Sequence, residues 1–429
     1  MKVYLRTFGC RANQYDTEAV RALVTAGGHD VVESSAEADV AVFNSCAVTA
    51  GAEAELRKVV RHAARETPAL RSIVMGCASA LDANRPPSMQ IRELASVTHV
   101  IAGADLPAIS AALGVVPDGS TPRTSAQAGT RALLRIQDGC DQHCTFCATT
   151  MARGANRSRP MDELIREATV LADGHAEIVI TGIHIGTYGE DTGSSLGALM
   201  TALVRSVPGV RFRLSSIEAT EIDDALVDLL AGAASHSGWR GEAHSAPHIA
   251  PHIHAPLQSG SDALLRTMGR SWYTSGTYTA AIDRIAGRVP TLGLGADLIA
   301  GFPGESDADH TATCALVERL PFTYLHVFPY SARPGTAAVR LREQVPAGVA
   351  QRRAAELRTI GDRKAAAYRA SRSGGVADVV VLGGRGDREG LTGDYLAVTP
   401  ADQSLPRGTR FMARLVLEQD RLLAHPVNR

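Results

Sequence analysis

At 429 residues, with 45% hydrophobic and 21% charged side chains, the chain has the composition of an ordinary globular protein and the length for two or three domains. A formal net charge of −1 excludes a generally basic nucleic-acid coat, so any polyanionic partner has to be met by a local patch. With no run of about 18 apolar residues and no secretory leader pattern, the expectation is a cytoplasmic, soluble protein with no membrane partner. There, seven cysteines read as ligands, nucleophiles or core residues rather than disulfides, and the odd count agrees.

Residues 1–115 alternate apolar runs (Val3–Phe8, Val40–Phe43, Ile73–Met75, Val100–Ala102) with helical patterns (Gln14–Ala26, Ala52–Arg65, Leu106–Leu113), which predicts a parallel α/β domain. Cys10, Cys46 and Cys77 each follow one of these runs closely. In a parallel sheet such positions share the carboxyl edge, where open α/β folds bind ligands. The plainer alternative is three small buried residues that end strands.

Residues 116–130, rich in Pro, Gly, Ser and Thr, read as a linker. Over 131–371 a second series predicts strands at Leu133–Gln137, Glu177–Thr181, Arg211–Ser215, His252–Leu257, Leu292–Ile299 and Tyr324–Phe328. Helices are predicted near 162–173, 195–206, 223–234, 273–287, 307–319 and 347–370. Six βα units in one direction predict a (β/α)6 partial TIM barrel with chemistry at the carboxyl ends of its strands. The histidine-rich stretch 236–254 reads as a loop insertion. Residues 372–429 lose the helical signal and predict a small β-barrel, so the fold class is α/β with a β-barrel appended. The run "GGRG" at 383–386 lacks the strand–helix context of a phosphate loop and reads as a turn.

The stretch "GCDQHCTFC" spaces Cys140, Cys144 and Cys147 as C-x3-C-x2-C with no fourth cysteine nearby. Three thiolates on one short loop can hold three irons of a cubane cluster and leave the fourth open. A zinc site completed by His143 or a distant residue is the alternative, although structural zinc usually uses two pairs of ligands. The spacing, with Phe146 before the last cysteine, resembles the signature of radical S-adenosylmethionine (SAM) enzymes. That resemblance implies a 4Fe–4S cluster on Cys140, Cys144 and Cys147 whose open iron is chelated by the amino and carboxylate groups of SAM. An electron from the cluster then cleaves the carbon–sulfur bond to give a 5′-deoxyadenosyl radical.

Seven further stretches, "TFGCRANQYDTE", "NSCAVT", "ARGANRSR", "LSSIE", "HIHAPLQSG", "IAGFPGE" and "HVFPYSARPGT", stand in the order found in methylthiotransferases, and nearly the whole chain resembles that family. The resemblance implies a second 4Fe–4S cluster on Cys10, Cys46 and Cys77, also with an open iron, on which the transferred sulfur rides. It implies that 372–429 is a TRAM-like RNA-binding barrel. SAM would be used twice, for the radical and for the methyl group. Thr149, Thr150 and Met151, Ala219 and Ala255 depart from the usual family pattern where the cofactor and substrate walls are formed.

Members of the family methylthiolate an adenosine beside the tRNA anticodon or an aspartate of a ribosomal protein. The opening stretch and "ITGIHIGTYGED" resemble the branch acting on threonylcarbamoyladenosine rather than isopentenyladenosine. Arg333 would pair with the substrate carboxylate, or else forms a surface salt bridge. Gly182, Glu218, Gln258 and Asp297 are the expected cofactor-side residues, with barrel turns as the alternative. The implied partners are the tRNA anticodon stem-loop and an unidentified electron donor and sulfur source, with oligomeric state open. Residues 340–370 carry seven arginines and one lysine against three acids, a patch for RNA or a solvated helix face. Cys314 reads as a core residue. A non-catalytic zinc RNA-binding protein is the reading from another class.

Overall fold

The structure, a computed structural model, describes all residues except 48, 49, 85, 116–126, 235–247, 384–387 and 428–429. Most of the expected linker, most of the histidine-rich insertion and most of the "GGRG" turn therefore lie outside the described residues. The described residues fall into two compact units. One is built from Met1–Thr124, Gln137–Arg157 and Ser331–Arg340, the other from Ser125–Ile136, Ser158–Tyr330 and Leu341–Arg429.

In the first unit β1 (Lys2–Thr7), α1 (Arg11–Ala26), β2 (Asp30–Val32), β3 (Val40–Ser45), α2 (Ala50–Glu66), β4 (Arg71–Gly76), α3 (Cys77–Ala80), β5 (Val97–Val100) and α4 (Leu106–Leu113) form a doubly wound layer structure. The sheet order is β2-β1-β3-β4-β5, and every neighbouring pair is parallel. Alternation along β3 sends Val40 and Val42 to a core shared with α1 and α4, and Ala41 and Phe43 to a core shared with α2. Burial on both faces is why these strands read as continuous apolar runs. Strand β2 escaped the sequence reading because it has three residues and starts on Asp30. The last strand lies at 97–100 rather than 100–102.

The chain continues through β6 (Ala132–Arg135), β7 (Gln137–Asp138), α5 (Thr149–Arg153), β8 (Arg157–Ser158), α6 (Met161–Ala172), β9 (Glu177–Thr181), α7 (Leu196–Ser206), β10 (Arg211–Leu214) and α8 (Asp224–Ala234). It goes on with β11 (His252–His254), α9 (Asp262–Thr267), α10 (Ser275–Ala286), β12 (Gly293–Ala300), α11 (Asp307–Arg319), β13 (Tyr324–Pro329) and α12 (Ala347–Ser371). Strands β6, β9 and β10 pair in parallel, as do β11, β12 and β13, and parallel bridges Phe212↔Ile249 and Ser216↔His254 join the two sets. Six parallel strands thus stand side by side in chain order, the partial barrel that the sequence predicts. The fourth strand ends at His254 rather than Leu257. Pro256 removes a ladder donor there, and Gln258 turns the chain with φ +62. His252 and His254 lie in this strand, as the predicted span His252–Leu257 has them, so the histidine-rich insertion does not include them.

Strands β14 (Val376–Val381), β15 (Gly390–Thr392), β16 (Ala397–Pro400), β17 (Arg410–Glu418) and β18 (Arg421–Pro426) close a small barrel in the order β14-β15-β16-β18-β17 around Val379, Val398, Leu415 and Leu422. Arg211 and Arg213 of β10 tie it to the parallel strands. They donate to the carbonyls of Asp378 (2.7 Å), Leu391 (3.1 Å), Thr392 (2.9 Å) and Gly393 (2.9 Å), and both pair with buried Glu177. Part of the positive charge of α12 is neutralised internally, since Arg353 pairs with Glu305 and Asp307 and Arg363 with Glu318. Among the described residues no helix is long and apolar enough to cross a membrane.

Candidate active site

The sheet order of the first unit reverses between β1 and β3, and crevices at such switch points bind ligands beyond the carboxyl ends of the strands. Cys10 follows β1, Cys46 follows β3 and Cys77 follows β4, so the topology brings the three to one edge. Asn13 stands between two of them, with its Oδ1 3.9 Å from Cys10 Sγ and 3.7 Å from Cys77 Sγ. Its Nδ2 donates to the carbonyls of Phe8 (3.0 Å) and Ser45 (2.8 Å), which fixes it in place. Gly9 has φ +97, and a Cβ there would stand 2.5 Å from Cys46 Sγ. The glycine before Cys10 is thus required both by backbone conformation and by the closeness of the second thiol. Burial pushes the Cys77 thiol up to about 11; Arg153 opposes the rise, and the neighbouring Cys10 and Cys46 add to it.

Cys140, Cys144 and Cys147 lie between β7 and α5, in the same unit. The Cys140 amide donates to the Gly154 carbonyl (3.0 Å) and the Cys147 amide to that of Cys144 (3.1 Å), which closes the segment on itself. Two backbone N–H groups point at sulfur, Gln142 at Cys140 Sγ and Thr149 at Cys147 Sγ, each at 3.4 Å. All three cysteines are part-exposed.

Arg153, at the end of α5, reaches from this segment to the other trio. Its Nε donates to Cys77 Sγ (3.2 Å), one terminal nitrogen to Asn13 Oδ1 (2.7 Å) and Asp16 Oδ2 (2.8 Å), and the other to Asp138 Oδ1 (3.1 Å). Burial disfavours its charge, but Asp16, Cys77 and Asp138 outweigh that and hold it protonated. Nothing in the stretch "ARGANRSR" singles out Arg153 from its neighbouring arginines; its one signal is a position six residues after Cys147.

A cavity of about 400 Å³ in the first unit is bounded by residues next to both trios, Ala47 after Cys46 and Ala148 after Cys147. Met151, Arg57, Glu53 and Arg333 also line it. Arg57 donates to Glu53 Oε1 from two nitrogens at 3.4 Å, and Arg333 is buried with Ser331 Oγ 3.2 Å away. The segment bearing Arg333 is tied to the cysteine loop by the Ala338 amide, which donates to the Thr145 carbonyl (2.8 Å). Arg333 is thus buried rather than on the surface. Arg57 and Glu53 were not legible as site residues because nothing on an amphipathic helix distinguishes them from a solvated pair.

The four expected cofactor-side residues lie in the second unit. Gly182 directly follows β9, Glu218 and Gln258 follow β10 and β11, and Asp297 lies within β12. Glu218 Oε1 accepts from Arg270 (2.5 Å), while its buried Oε2 has no hydrogen-bond partner. Burial raises the Glu218 pKa, with Arg270 opposing. Gln258 is buried in a left-handed conformation that L-residues rarely adopt. Asp297 accepts from His254 (3.0 Å) and His326 (3.2 Å); burial would raise its pKa, but the two imidazoles hold it below the usual carboxylate range. Cys314 is part-exposed on α11 with His310 Nε2 3.5 Å from its sulfur, so it is not a core residue.

Family models match two parts of the chain, one described as "Uncharacterized protein family UPF0004" over residues 2–98 and one as "Radical SAM superfamily" over residues 134–317. The threonylcarbamoyladenosine tRNA methylthiotransferase MtaB of Bacillus subtilis is 33% identical over 88% of this chain and 84% of its own. The protein of the same description from Thermotoga maritima is 33% identical over 80% and 78%. The chain belongs to the radical SAM methylthiotransferase family. A tRNA-2-methylthio-N(6)-dimethylallyladenosine synthase of Sorangium cellulosum is also similar, 30% identical over 88% of this chain and 81% of its own. The structure of the radical SAM methyltransferase TsrM from Kitasatospora setae matches the fold with a TM-score of 0.53 and 14% identity, over 76% of this chain and 72% of that one.

Methylthiotransferases of this family use SAM and two 4Fe–4S clusters, and the donor sets fit these groups. Among the described residues, the trios close enough to share one ion are His254–Asp297–His326 and His310–Cys314–Glu356, and none of the six cysteines is in them. In each cysteine trio at least one pair of sulfurs therefore lies farther apart than the roughly 4.6 Å that one zinc with bonds of about 2.3 Å could bridge. Multi-iron clusters need this wider spread. The amides aimed at Cys140 and Cys147 suit thiolate acceptors, and hydrogen bonds to sulfur tune such clusters.

Proposed function

We propose that the protein is a tRNA methylthiotransferase that converts N6-threonylcarbamoyladenosine beside the anticodon to its 2-methylthio derivative. The observation that carries this reading is the cavity whose wall contains the neighbours of both cysteine trios together with Arg57 and Arg333. Cys140, Cys144 and Cys147 hold the SAM-binding cluster, and Cys10, Cys46 and Cys77 hold the auxiliary one. When bound, these groups supply reductive SAM cleavage, sulfur and a methyl donor. The remaining work belongs to the chain. Asn13 and Arg153 hold the auxiliary thiols in place, and Arg153 offsets the burial that keeps Cys77 protonated. Gly182, Glu218 and Gln258 of the second unit are the proposed cofactor-side residues.

Two arginines against one glutamate in a cavity of this size suit a substrate that ends in a carboxylate, which the threonylcarbamoyl group has and the dimethylallyl group lacks. A second cavity of about 690 Å³, in the second unit, presents Arg369, Arg388 and Arg421 with Glu389 and Asp420 and offers phosphate contacts to the tRNA.

The test is turnover by anaerobically reconstituted protein on tRNAs carrying threonylcarbamoyladenosine or isopentenyladenosine, read by nucleoside mass spectrometry. Methylthiolation of the first alone is expected; methylthiolation of the second alone overturns the substrate assignment. Arg333→Ala should lower kcat/KM on the first substrate by about 10- to 100-fold, the worth of one charge-assisted contact of about 1.5–3 kcal/mol. An unchanged kcat/KM would remove Arg333 from the substrate site.

A further inference from the structure

One face of β11–β13 carries a group of side chains that neither cluster explains. Asp297 of β12 stands directly across from His326 of β13, and His254 of β11 pairs with Gly295, two residues before Asp297. Gly295 leaves room for the Tyr324 ring, which a Cβ at that position would strike. The three ligand-bearing side chains converge: His254 Nε2 and His326 Nδ1 both lie against the same oxygen, Asp297 Oδ1, at 3.0 and 3.2 Å. All the ligand atoms of the trio are within 4.8 Å of one another. Burial grades outward, with side-chain exposures of 8% for His254, 28% for Asp297 and 52% for His326, so one side is open to solvent or a ligand.

Two of the three separations, 3.0 and 3.2 Å, are those of neighbouring ligands on a metal polyhedron. With metal–nitrogen and metal–oxygen bonds of about 2.1 Å, neighbouring ligands stand about 3.0 Å apart at right angles and about 3.4 Å at the tetrahedral angle. The observed separations fall at and just above the first value. Two imidazoles and one carboxylate oxygen on one face, with the remaining positions open, form the donor set that holds Fe²⁺, Mn²⁺ or Zn²⁺. The support that metal-binding histidines need is also present. His254 turns its other nitrogen, Nδ1, to Tyr324 Oη at 3.0 Å, and Tyr324 Oη is held in turn by His252 Nε2 at 2.8 Å. The His252 ring stacks on Tyr395 at 4.3 Å, which fixes this second layer from the C-terminal barrel.

We propose that His254, Asp297 and His326 bind one divalent transition-metal ion, separate from the iron–sulfur clusters, whose open positions take water or an oxygen of a bound ligand. The Asp297 carboxylate supplies the negative charge and His254 the buried anchor, while His326 closes the site from the solvent side. Asp297 is then a metal ligand and not a direct contact of SAM.

Mn²⁺ is the suitable probe, because it prefers oxygen and nitrogen ligands and binds thiolates poorly, so it ignores vacant cysteine sites. Cluster-loaded protein would be titrated with Mn²⁺ under anaerobic conditions while the free-ion electron paramagnetic resonance signal is followed. The wild type should take up one Mn²⁺ per chain beyond the uptake of His326→Ala and of Asp297→Asn, and Zn²⁺ should displace that ion. Each variant should weaken the site at least tenfold. His326→Gln, which keeps a polar side chain at the half-exposed position, should behave like His326→Ala and guards against misfolding. Equal uptake by the wild type and any of these variants, or no uptake by the wild type, overturns the proposal. The readout is metal occupancy, so it stands or falls apart from the identity of the tRNA substrate.

Discussion

Arg153 carries one guanidinium between the Cys77 thiol and two carboxylates, in a place where water is nearly excluded. Its side chain and that of Asp16 are 2% and 1% exposed, so each is the other's main compensation. Removing one partner of such a pair leaves an uncompensated buried charge and costs about 3–5 kcal/mol. Arg153→Met, of similar length, should lower the urea-unfolding free energy of cluster-free protein by that amount; a change under about 1 kcal/mol would mean that Asp16 is neutral or hydrated. Gly9 makes a second residue-scale prediction. Alanine there would be strained at φ +97 and would push on Cys46 Sγ, at a backbone cost of about 1–3 kcal/mol. Gly9→Ala should lose iron from the Cys10–Cys46–Cys77 site while still cleaving SAM to 5′-deoxyadenosine. Full iron content in this variant would show that Cys46 does not need its present place. The six cysteines were legible in the sequence because their spacing and strand-end positions are local facts. Arg153, Arg57 and Glu53 were not, because a buried arginine and a surface one look alike until the fold places their partners.

At the scale of elements, burial on both faces made the parallel strands of both units readable as apolar runs, and their alternation with helical periodicity gave the partial barrel its unit count. The misreadings fall where that signal is weak: β2 is three residues long, α9 only six, and β11 is cut short at Pro256. The junction of β9, β10 and the C-terminal barrel was invisible in the sequence. Arg211 and Arg213 sit in a strand fully buried on both faces, where only partners far along the chain, Glu177 and Asp378, make their charge tolerable. Burial works to raise the Glu177 pKa, but Arg211 and Arg213 outweigh it and hold it well below the carboxylate range. A folded pKa depressed in this way gives stability that is present above the unfolded value of about 4.3 and is lost as pH falls through the folded value. Glu177→Gln should therefore destabilise the protein by about 3–5 kcal/mol near neutral pH, and the gap to wild type should narrow only under strongly acid conditions. Denaturant unfolding across the acid range checks this, and a gap that stays constant with pH would mean that Glu177 is not the ionised partner.

For the whole molecule, the Cys140–Cys147 segment belongs to the same compact unit as the N-terminal domain, although its sequence position groups it with the parallel strands that follow. The cavity wall draws on Ala47 and Arg57, Leu81 and Met89, Ala148 and Met151, and residues 332–335, stretches far apart in the chain. Order along the chain shows which motifs are present; only the fold shows that Ala47, next to Cys46, and Ala148, next to Cys147, line one cavity with two arginines. The central claim is that each trio holds its own cluster, and iron and acid-labile sulfide in three anaerobically reconstituted proteins test it most directly. These are the wild type, the Cys10→Ala, Cys46→Ala, Cys77→Ala triple variant and the Cys140→Ala, Cys144→Ala, Cys147→Ala triple variant. The wild type should hold two four-iron clusters and each triple variant one, with SAM cleavage surviving only in the first triple variant. Undiminished iron in either variant, or zinc without sulfide in the wild type, would contradict the account.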